Sequence, residues 1–541
     1  MLFSMQDYII IGAGSAGCAL AHRLSEDPQC QVLLIEAGGK DRKQEISIPA
    51  AFNKLFKTRY DWNYRTVAQP YAGFREMYLP RGRVLGGSSS INAMIYIRGN
   101  ALDYDQWAAD GNPGWDYASV LPYFMRAEQQ QRGADAFHGE EGPLTVSDLQ
   151  DPFPISQSFV EAGVELGYGR NSDFNGAQQE GFGLYQVTQR AGKRCSAAKA
   201  YLAPIMDRPN LTVMTDTSVL RILLEKDRAV GVECQLKTHV QEFRAREEVI
   251  LAAGAYNSPH LLMRSGIGPV AEIEGAGLTV KHALPGVGQN LQDHLIVPMV
   301  FHNRDRHTLE EAERLQHLVN YLVWGEGPLS SNVAEGGGFV RSQPDLPAPD
   351  LQFHFAPGYF LNHGFSRPQQ GHGFSVGPTL LQPGSIGSVR LDRKQPHGAP
   401  LIDHQYLSAE EDVQTLMRGM RIGYQLLRTK ALGRFFKDYY LPSHKLLREG
   451  DLERHIRNTA QTLYHPVGTC KMGTDDLAVV DADLRVHGLS GLRVVDASVM
   501  PRIIRGNTNA TSIMIGEKAA DLIKAQAALP TEKDRLAVSS K

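Results

Sequence analysis

The sequence predicts an α/β chain in which a nucleotide-binding domain is split along the sequence by an inserted α+β domain built on an antiparallel sheet. Three observations predict it. An apolar run meets a glycine-rich turn near residue 10, a strand and a helix of the same style return after residue 490, and the middle carries short strand-like pieces set among Gly and Pro.

The elements follow in order. Tyr8 to Ile11 reads as a buried strand, Gly12-x-Gly14-x-x-Gly17 as a tight turn, and Ala16 to Leu24 as a helix; Val32 to Ile35, ending in Glu36, completes a βαβ unit. From Leu211 to Glu225 and from Ala229 to Leu236, apolar and β-branched residues recur around Lys226-Asp227-Arg228, which predicts a meander of strands. Glu248 to Leu251 is another buried strand. Leu351 to Phe355 and Ser375 to Leu381 predict strands of the second domain, and Val413 to Leu427 a helix; Leu492 to Asp496 and Thr511 to Ala525 then predict a final strand and helix. The nucleotide domain is read as residues 1–155, 190–296 and 456–530, the substrate domain as 156–189 and 297–455, and 531–541 as a polar tail without function.

Composition excludes several classes. A chain of 541 residues is no peptide hormone or disulfide scaffold. Its 56 basic against 59 acidic residues, net −3, leave no broad positive surface, so nucleic acid is not an expected partner. Hydrophobic residues at 42% and charged residues at 21% suit a soluble globule. Cys18, Cys30, Cys195, Cys234 and Cys470 are scattered without a CxxC spacing, which argues against disulfides or a zinc ribbon and fits a reducing compartment. His282, His294, His465 and His487 show no short-range ligand pairing, so no metal is expected. No signal peptide or membrane span is read, and no long amphipathic anchor.

The glycine turn carries chemistry. Gly12 and Gly14 allow a tight turn and close approach of a pyrophosphate, Gly17 lets helix and strand pack, the helix N-terminus faces the anion, and Glu36 can accept ribose hydroxyl hydrogens. That is a Rossmann-type dinucleotide site, and the acid tells against a 2′-phosphate without choosing between NAD and FAD.

Four further segments choose. Pro80-Arg-Gly-Arg-Val-Leu-Gly-Gly-Ser-Ser-Ser-Ile-Asn-Ala-Met94 and Ala252-Ala-Gly-Ala-Tyr-Asn-Ser-Pro-His-Leu-Leu-Met-Arg-Ser-Gly-Ile-Gly-Pro269 closely resemble the two signatures of the glucose-methanol-choline (GMC) oxidoreductase family. His465-Pro-Val-Gly-Thr469, Asp496-Ala-Ser498 and Gly506-Asn-Thr-Asn-Ala510 resemble its C-terminal segments. The likeness runs from about Asp7 to about Ile523 and is strongest to choline-dehydrogenase-like and alkanol-dehydrogenase-like members.

This resemblance implies FAD. Gly12, Gly14, Ser15, Gly17 and Glu36 would hold the ADP half, with Val219 near the adenine and Trp62 covering the dinucleotide. Gly87, Ser88, Asn92, Ala93 and Met94 would line the flavin, Asp496, Ala497 and Thr508 would hold its ribityl and ring end, and Ala253 joins this set. Some oxidases of the family attach FAD through a histidine where this chain has Ile91, so non-covalent binding is expected.

Alcohol oxidation needs a proton acceptor at the hydroxyl and a hydride acceptor at the carbon. By the resemblance His465 is the base and Asn509 the hydrogen-bond donor to the substrate oxygen, although Asn509 could instead cap the last helix. Glu335 is a candidate partner for a quaternary ammonium, with Phe355, Tyr359 or Trp324 offering π faces, which would make choline the substrate; the plainer reading is a buried glutamate holding a glycine-rich loop. A primary alcohol is therefore the expected substrate, with electrons passed to a quinone or other acceptor; choline dehydrogenase and an oxygen-using oxidase are the alternatives. The expected location is cytoplasmic, with peripheral association at the inner membrane. A remote alternative, serine hydrolysis at Ser375 in Gly373-Phe-Ser-Val-Gly377, lacks the strand-turn-helix context of a nucleophile elbow.

Overall fold

The computed structural model describes residues 5–312 and 314–527, so the expected tail at 531–541 lies outside the described residues. A parallel sheet forms the centre of the first unit. Its strands run in the order Leu211–Met214, Val32–Ile35, Gln6–Ile11 and Val240–Leu251, with Leu492–Val494 pairing the far side of the last. Strands buried on both faces are mostly apolar: Val32–Ile35 is apolar and buried at every position, and Leu492–Val494 is equally buried but carries Arg493, which is paired with the Glu248 carboxylate of the neighbouring strand.

The twelve-residue strand Val240–Leu251 shows the change of environment along one chain. Its first part pairs antiparallel with Arg228–Gln235 and alternates between exposed and buried, whereas its last four residues enter the parallel sheet and are all buried. The predicted meander is thus Ser218–Glu225, Arg228–Gln235 and Val240–Leu251. Leu211–Met214 does not belong to it: it satisfies the edge of Val32–Ile35, and Asp216, at φ 53°, turns the chain before the meander begins.

Helices Ser15–Leu24 and Asn509–Ala527 pack against each other over small residues; a Cβ on Gly516 would lie 2.6 Å from the Ala16 carbonyl oxygen. Gly17 is tighter still, its hypothetical Cβ 1.9 Å from the Gly12 oxygen. Both helices begin at the same opening.

The second sheet is antiparallel, in the order Phe436–Leu441, Met299–Asn303, Gly373–Leu380, Leu351–Ala356, Gly336–Val340 and Gly181–Leu184. Helices Glu410–Leu426 and Pro154–Glu165 pack on it, burying Leu416, Met420 and Phe159 with Phe353, Phe355 and Val376 in one apolar core. At Gly337 an added Cβ would come within 2.3 Å of the Tyr185 ring, so that ring lies flat against a strand that only glycine leaves bare. A short ladder, Leu295–Ile296 with Gln461–Thr462, hangs from the sheet and brings two distant segments together at its edge.

Gly17→Ala is expected to lower thermal stability, on the scale of about 1–3 kcal/mol for overpacking, and to reduce bound flavin per chain. Thermal melts and the visible absorbance of purified protein check both, and an unchanged Tm would contradict the packing role.

Candidate active site

One cavity of about 620 Å³ runs from the glycine turn to the edge of the antiparallel sheet. At the turn, the three glycines divide their work as the motif predicts. Gly12 and Gly17 are closed by backbone, while a Cβ on Gly14 would touch only the Ala252 oxygen at 3.9 Å, leaving that backbone open to a ligand. The N-terminus of Ser15–Leu24 faces the same space, a favourable seat for a pyrophosphate.

The residues expected to hold a dinucleotide converge here. Gly12, Gly14, Ser15, Glu36, Trp62, Gly87, Ser88, Asn92, Ala93, Met94, Val219, Ala253, Asp496, Ala497 and Thr508 all line the cavity, and Gly17 stands behind it as a packing residue. Glu36 accepts hydrogen bonds from Ala13 N at 3.0 Å and Gly38 N at 2.8 Å, and burial pushes its carboxyl up to about 7. Trp62 stacks on Tyr64 with ring centroids 5.7 Å apart. Asp496 accepts from Gly254 N, Ser258 Oγ and Ser498 N, so its carboxylate organises the loop opening helix Gly254–Arg264. The fit to FAD is good: a glycine-lined phosphate seat, an acid at the ribose end and a long cavity with few charges.

His465 lies at the other end, fastened twice. The dipeptide Asp293-His294 does both: Asp293 Oδ1 accepts from His465 N at 2.7 Å, and His294 Nδ1 meets His465 Nδ1 at 2.9 Å. Asp293 itself is held by Tyr406 Oη and Thr462 Oγ1, each at 2.6 Å, and burial pushes it up to about 6. The preceding Tyr464 sits at φ 72°, a left-handed conformation, with its carbonyl accepting from Arg81 Nη1 at 2.7 Å.

These contacts fix the tautomer. His294 Nε2 faces the Leu381 carbonyl at 3.1 Å, so that nitrogen carries the ring proton and Nδ1 is left as an acceptor. His465 Nδ1 must then donate, which leaves His465 Nε2 as a lone pair. Burial, then His294, His354 and Arg81, hold the His465 imidazole well below its ordinary range, so it is neutral and able to accept a proton. Burial likewise pushes His294 down to about 4 and His354 down to about 3.

The amide beside His465 Nε2 belongs to Asn507, with Nδ2 at 3.2 Å. The expectation of Asn509 as its partner is corrected here: Asn509 Oδ1 accepts from Ser15 Oγ at 2.7 Å and ties the two helix N-termini together. Asn509 lines the cavity, yet on the cofactor side. Two asparagines separated by one residue at a turn point in different directions, and the motif Gly506-Asn-Thr-Asn does not say which faces the histidine. His294 and His354 were also missed; the polar Asp293-His294 between apolar Leu291 and Leu295 was the available signal.

Glu335 follows the plainer of its two readings, a buried glutamate holding its loop, and not that of a cation partner. Glu335 is fully buried and turned away from the cavity, accepting from Phe153 N at 2.9 Å, Ser156 Oγ at 2.6 Å and Ser331 Oγ at 2.6 Å; burial pushes it up to about 7. It fastens its loop to the start of helix Pro154–Glu165. Tyr359 also lies outside, its hydroxyl bonded to His372 O at 2.8 Å and His302 Nδ1 at 2.6 Å, and Trp324 is on the surface. Of the aromatic candidates only Phe355 lines the cavity, together with Phe52, Phe56, Phe360 and Tyr464. Ser375 lies mid-strand with its Oγ donating to Gly358 O at 2.9 Å and accepting from Phe360 N at 3.0 Å, so it is no nucleophile elbow.

Comparison with known proteins agrees with this geometry. Two GMC oxidoreductase models match residues 6–296 and 383–516. The chain is 44% identical to an alcohol dehydrogenase [acceptor] of Pseudomonas putida over 528 residues, 96% of each chain. It is 43% identical to the mitochondrial choline dehydrogenase of Homo sapiens, over 96% of this chain and 90% of that one. Among solved structures, pyridoxine 4-oxidase from Mesorbium loti superposes with a TM-score of 0.88 at 33% identity, covering 95% of this chain and 98% of that one. The chain belongs to the GMC oxidoreductase family and is an FAD flavoprotein that acts on a CH–OH group.

Proposed function

We propose that this protein oxidises an uncharged primary alcohol to the aldehyde, with His465 as base and non-covalently held FAD, and passes the electrons to a quinone or similar acceptor. The observation that carries this reading is the pairing of an acceptor and a donor at one point of the cavity, His465 Nε2 beside Asn507 Nδ2. A hydroxyl that enters in place of their mutual contact uses both: its proton goes to the imidazole lone pair while its oxygen accepts from the amide, which steadies the negative charge that develops there. FAD, when bound, supplies the two-electron acceptor for the hydride of the carbinol carbon. Asn507 takes the donor role first expected of Asn509.

The substrate class rests on charge. The acids lining the cavity are Glu36 and Asp496, both bound to backbone N–H groups on the cofactor side, and the substrate end is walled by Phe52, Phe56, Ile296, Val333, Phe355 and Phe360. A quaternary ammonium would find rings there but no counter-charge, whereas an alkyl or aryl chain loses only water. Ile91 lines the cavity, and an aliphatic side chain there supports non-covalent FAD. The domain limits 1–155, 156–189, 190–296, 297–455 and 456–530 are retained as part of this reading.

Peripheral membrane association is supported by one surface feature that the sequence reading overlooked. Among the described residues no helix is long and apolar enough to cross a membrane. Helix Leu315–Trp324, however, has no charged residue and exposes Leu315, Leu318, Val319, Leu322, Val323 and Trp324, the first and last by 75% and 70%. At about 15 Å it would lie in a bilayer surface rather than span it. Exposed Arg314 precedes it, and exposed Arg190 and Lys193 flank the Gly192 turn that abuts Gly325, with Glu326 an exposed acid next to Gly325; the three cations suit an anionic lipid surface in the cytoplasm. Tyr321 anchors the helix through Gly192 O at 3.2 Å and Ser47 O at 3.3 Å, the latter just before the segment Pro49–Leu55 that carries Phe52 into the cavity.

Anaerobic addition of a straight-chain alcohol should bleach the flavin. His465→Ala and Asn507→Ala should each keep FAD and slow that bleaching by ~10²-fold or more, with Asn509→Ala affecting flavin content first. Equal rates in wild type and His465→Ala would remove the base. Because the His465 imidazole is held below its ordinary ~6.5, kcat/KM should stay level through neutrality and fall only as acid protonates the base below that value; a limb centred at 6.5 or above would contradict the tautomer chain. Replacing Leu318, Leu322 and Trp324 together by Ser should abolish co-sedimentation with phosphatidylglycerol vesicles and leave turnover with a water-soluble acceptor intact, and undiminished co-sedimentation would refute the docking helix.

A further inference from the structure

We infer that Gln352, which does not touch the cavity, is the positioning residue that keeps the donor face of Asn507 turned toward His465. This rests on the reading of His465 and Asn507 given above.

An asparagine side chain is nearly symmetric in shape, and its use depends on which end points where. With Nδ2 toward the hydroxyl, Asn507 supports loss of the proton; with Oδ1 there it would repel the oxygen as charge develops. Nothing in the shape of the pocket decides between the two. Hydrogen-bond polarity does.

Gln352 is fully buried on strand Leu351–Ala356. Its Nε2 donates to Asn507 Oδ1 at 3.1 Å and to Tyr185 Oη at 2.8 Å, while Tyr185 Oη donates to the Phe353 carbonyl at 2.9 Å. A single chain of donors therefore runs from Gln352 through Asn507 Nδ2, His465 Nε2, His465 Nδ1 and His294 to the Leu381 carbonyl. Both ends rest on backbone carbonyls, which only accept.

The reverse polarity fails at the far end. If Gln352 turned its oxygen to Asn507, Asn507 would present Oδ1 to His465, and His465 would have to carry its proton on Nε2. His294 would then donate from Nδ1, leaving an unprotonated Nε2 against the Leu381 oxygen at 3.1 Å. An imidazolium would relieve that clash, but burial holds both rings neutral. The observed polarity leaves Gln352 Oε1 buried without a partner. That cost is offset by the two donor contacts of Nε2, which hold the amide this way round.

Tyr185 is part of the same device. Its ring lies on Gly337, and its hydroxyl, committed to the Phe353 carbonyl, offers only a lone pair to Gln352. The Gln352 amide is thereby told which way to face.

The test uses the FAD-loaded enzyme and the rate of anaerobic flavin bleaching by an excess of straight-chain alcohol. Gln352→Met keeps the volume and removes the lock; the rate should fall about tenfold while FAD content and KM change little, because only the fraction of Asn507 in the productive orientation reacts. In an Asn507→Leu background the same Gln352→Met change should cost nothing more. An equal loss in both backgrounds means a packing effect and overturns the positioning role. Asn507→Leu that bleaches at the wild-type rate overturns the donor assignment itself, a different failure.

Gln352→Glu gives a second, pH-dependent check. An ionised carboxylate would draw Nδ2 away from the hydroxyl and slow bleaching by ~10²-fold, and protonating it should restore the rate as pH falls, opposite to the wild-type trend. The groups facing that position are Tyr185, pushed above its usual range by burial, and His354 and His465, both held down by burial, so the introduced acid is the one that titrates near neutrality. A rate in Gln352→Glu that tracks wild type across this range would also overturn the proposal.

Discussion

The grip of one dipeptide on one histidine organises this enzyme. Asp293 binds the backbone amide of His465 and His294 binds its ring, so two adjacent residues fix both where the imidazole stands and which nitrogen carries its proton. Neither hold depends on a charge pair. Burial leaves the rings neutral, and the Leu381 carbonyl supplies the direction. The cost of burying so many polar groups is offset only if each finds a partner, which is why Tyr406, Thr462 and Arg81 are drawn into the same network.

The fold delivers these groups from opposite sides. The short ladder of Leu295–Ile296 with Gln461–Thr462 places His294 beside the segment leading to His465, at the margin of the antiparallel sheet. The parallel sheet supplies the other wall, through two helix N-termini that Ser15 and Asn509 tie together. Anion-stabilising backbone thus faces the cofactor end, and proton-handling side chains face the substrate end. The acids that line the cavity, Glu36 and Asp496, are bound to backbone N–H groups of the glycine turn and of helix Gly254–Arg264, and Asp293 meets His465 only at its backbone amide.

Much of the fold was legible because its signals are local. An apolar run before Gly12-x-Gly14-x-x-Gly17 can be little else, and the strand Val32–Ile35 ends at Glu36 as the motif requires. Leu211–Met214 was misread because a short apolar and β-branched run beside a meander looks the same whether its partner is the next strand or one nearly 180 residues earlier. The site divided in the same way. Positions such as Gly87 and Ala497, picked out by motif, line the cavity, since a motif records where the backbone must come close to a shared space. Side-chain roles were less legible: Asn507 and Asn509 differ in nothing local, and of the two readings open for Glu335 its three hydrogen bonds fit the plainer one, a buried glutamate holding its loop.

Hydrogen-bond direction is a property no single residue carries. A glutamine, an asparagine and two histidines are each ambiguous, and in isolation any of them could face either way. Ambiguity disappears when they are strung between two carbonyls, because a lone pair at either end propagates inward and assigns every proton on the route. The free nitrogen of His465 is thereby specified by the Leu381 peptide group, which does not line the cavity, rather than by a charged neighbour. In the proposed reaction this leaves the base free across neutral pH with no carboxylate on its ring, since Asp293 meets only the backbone amide, and the apolar pocket beside it suits an apolar alcohol.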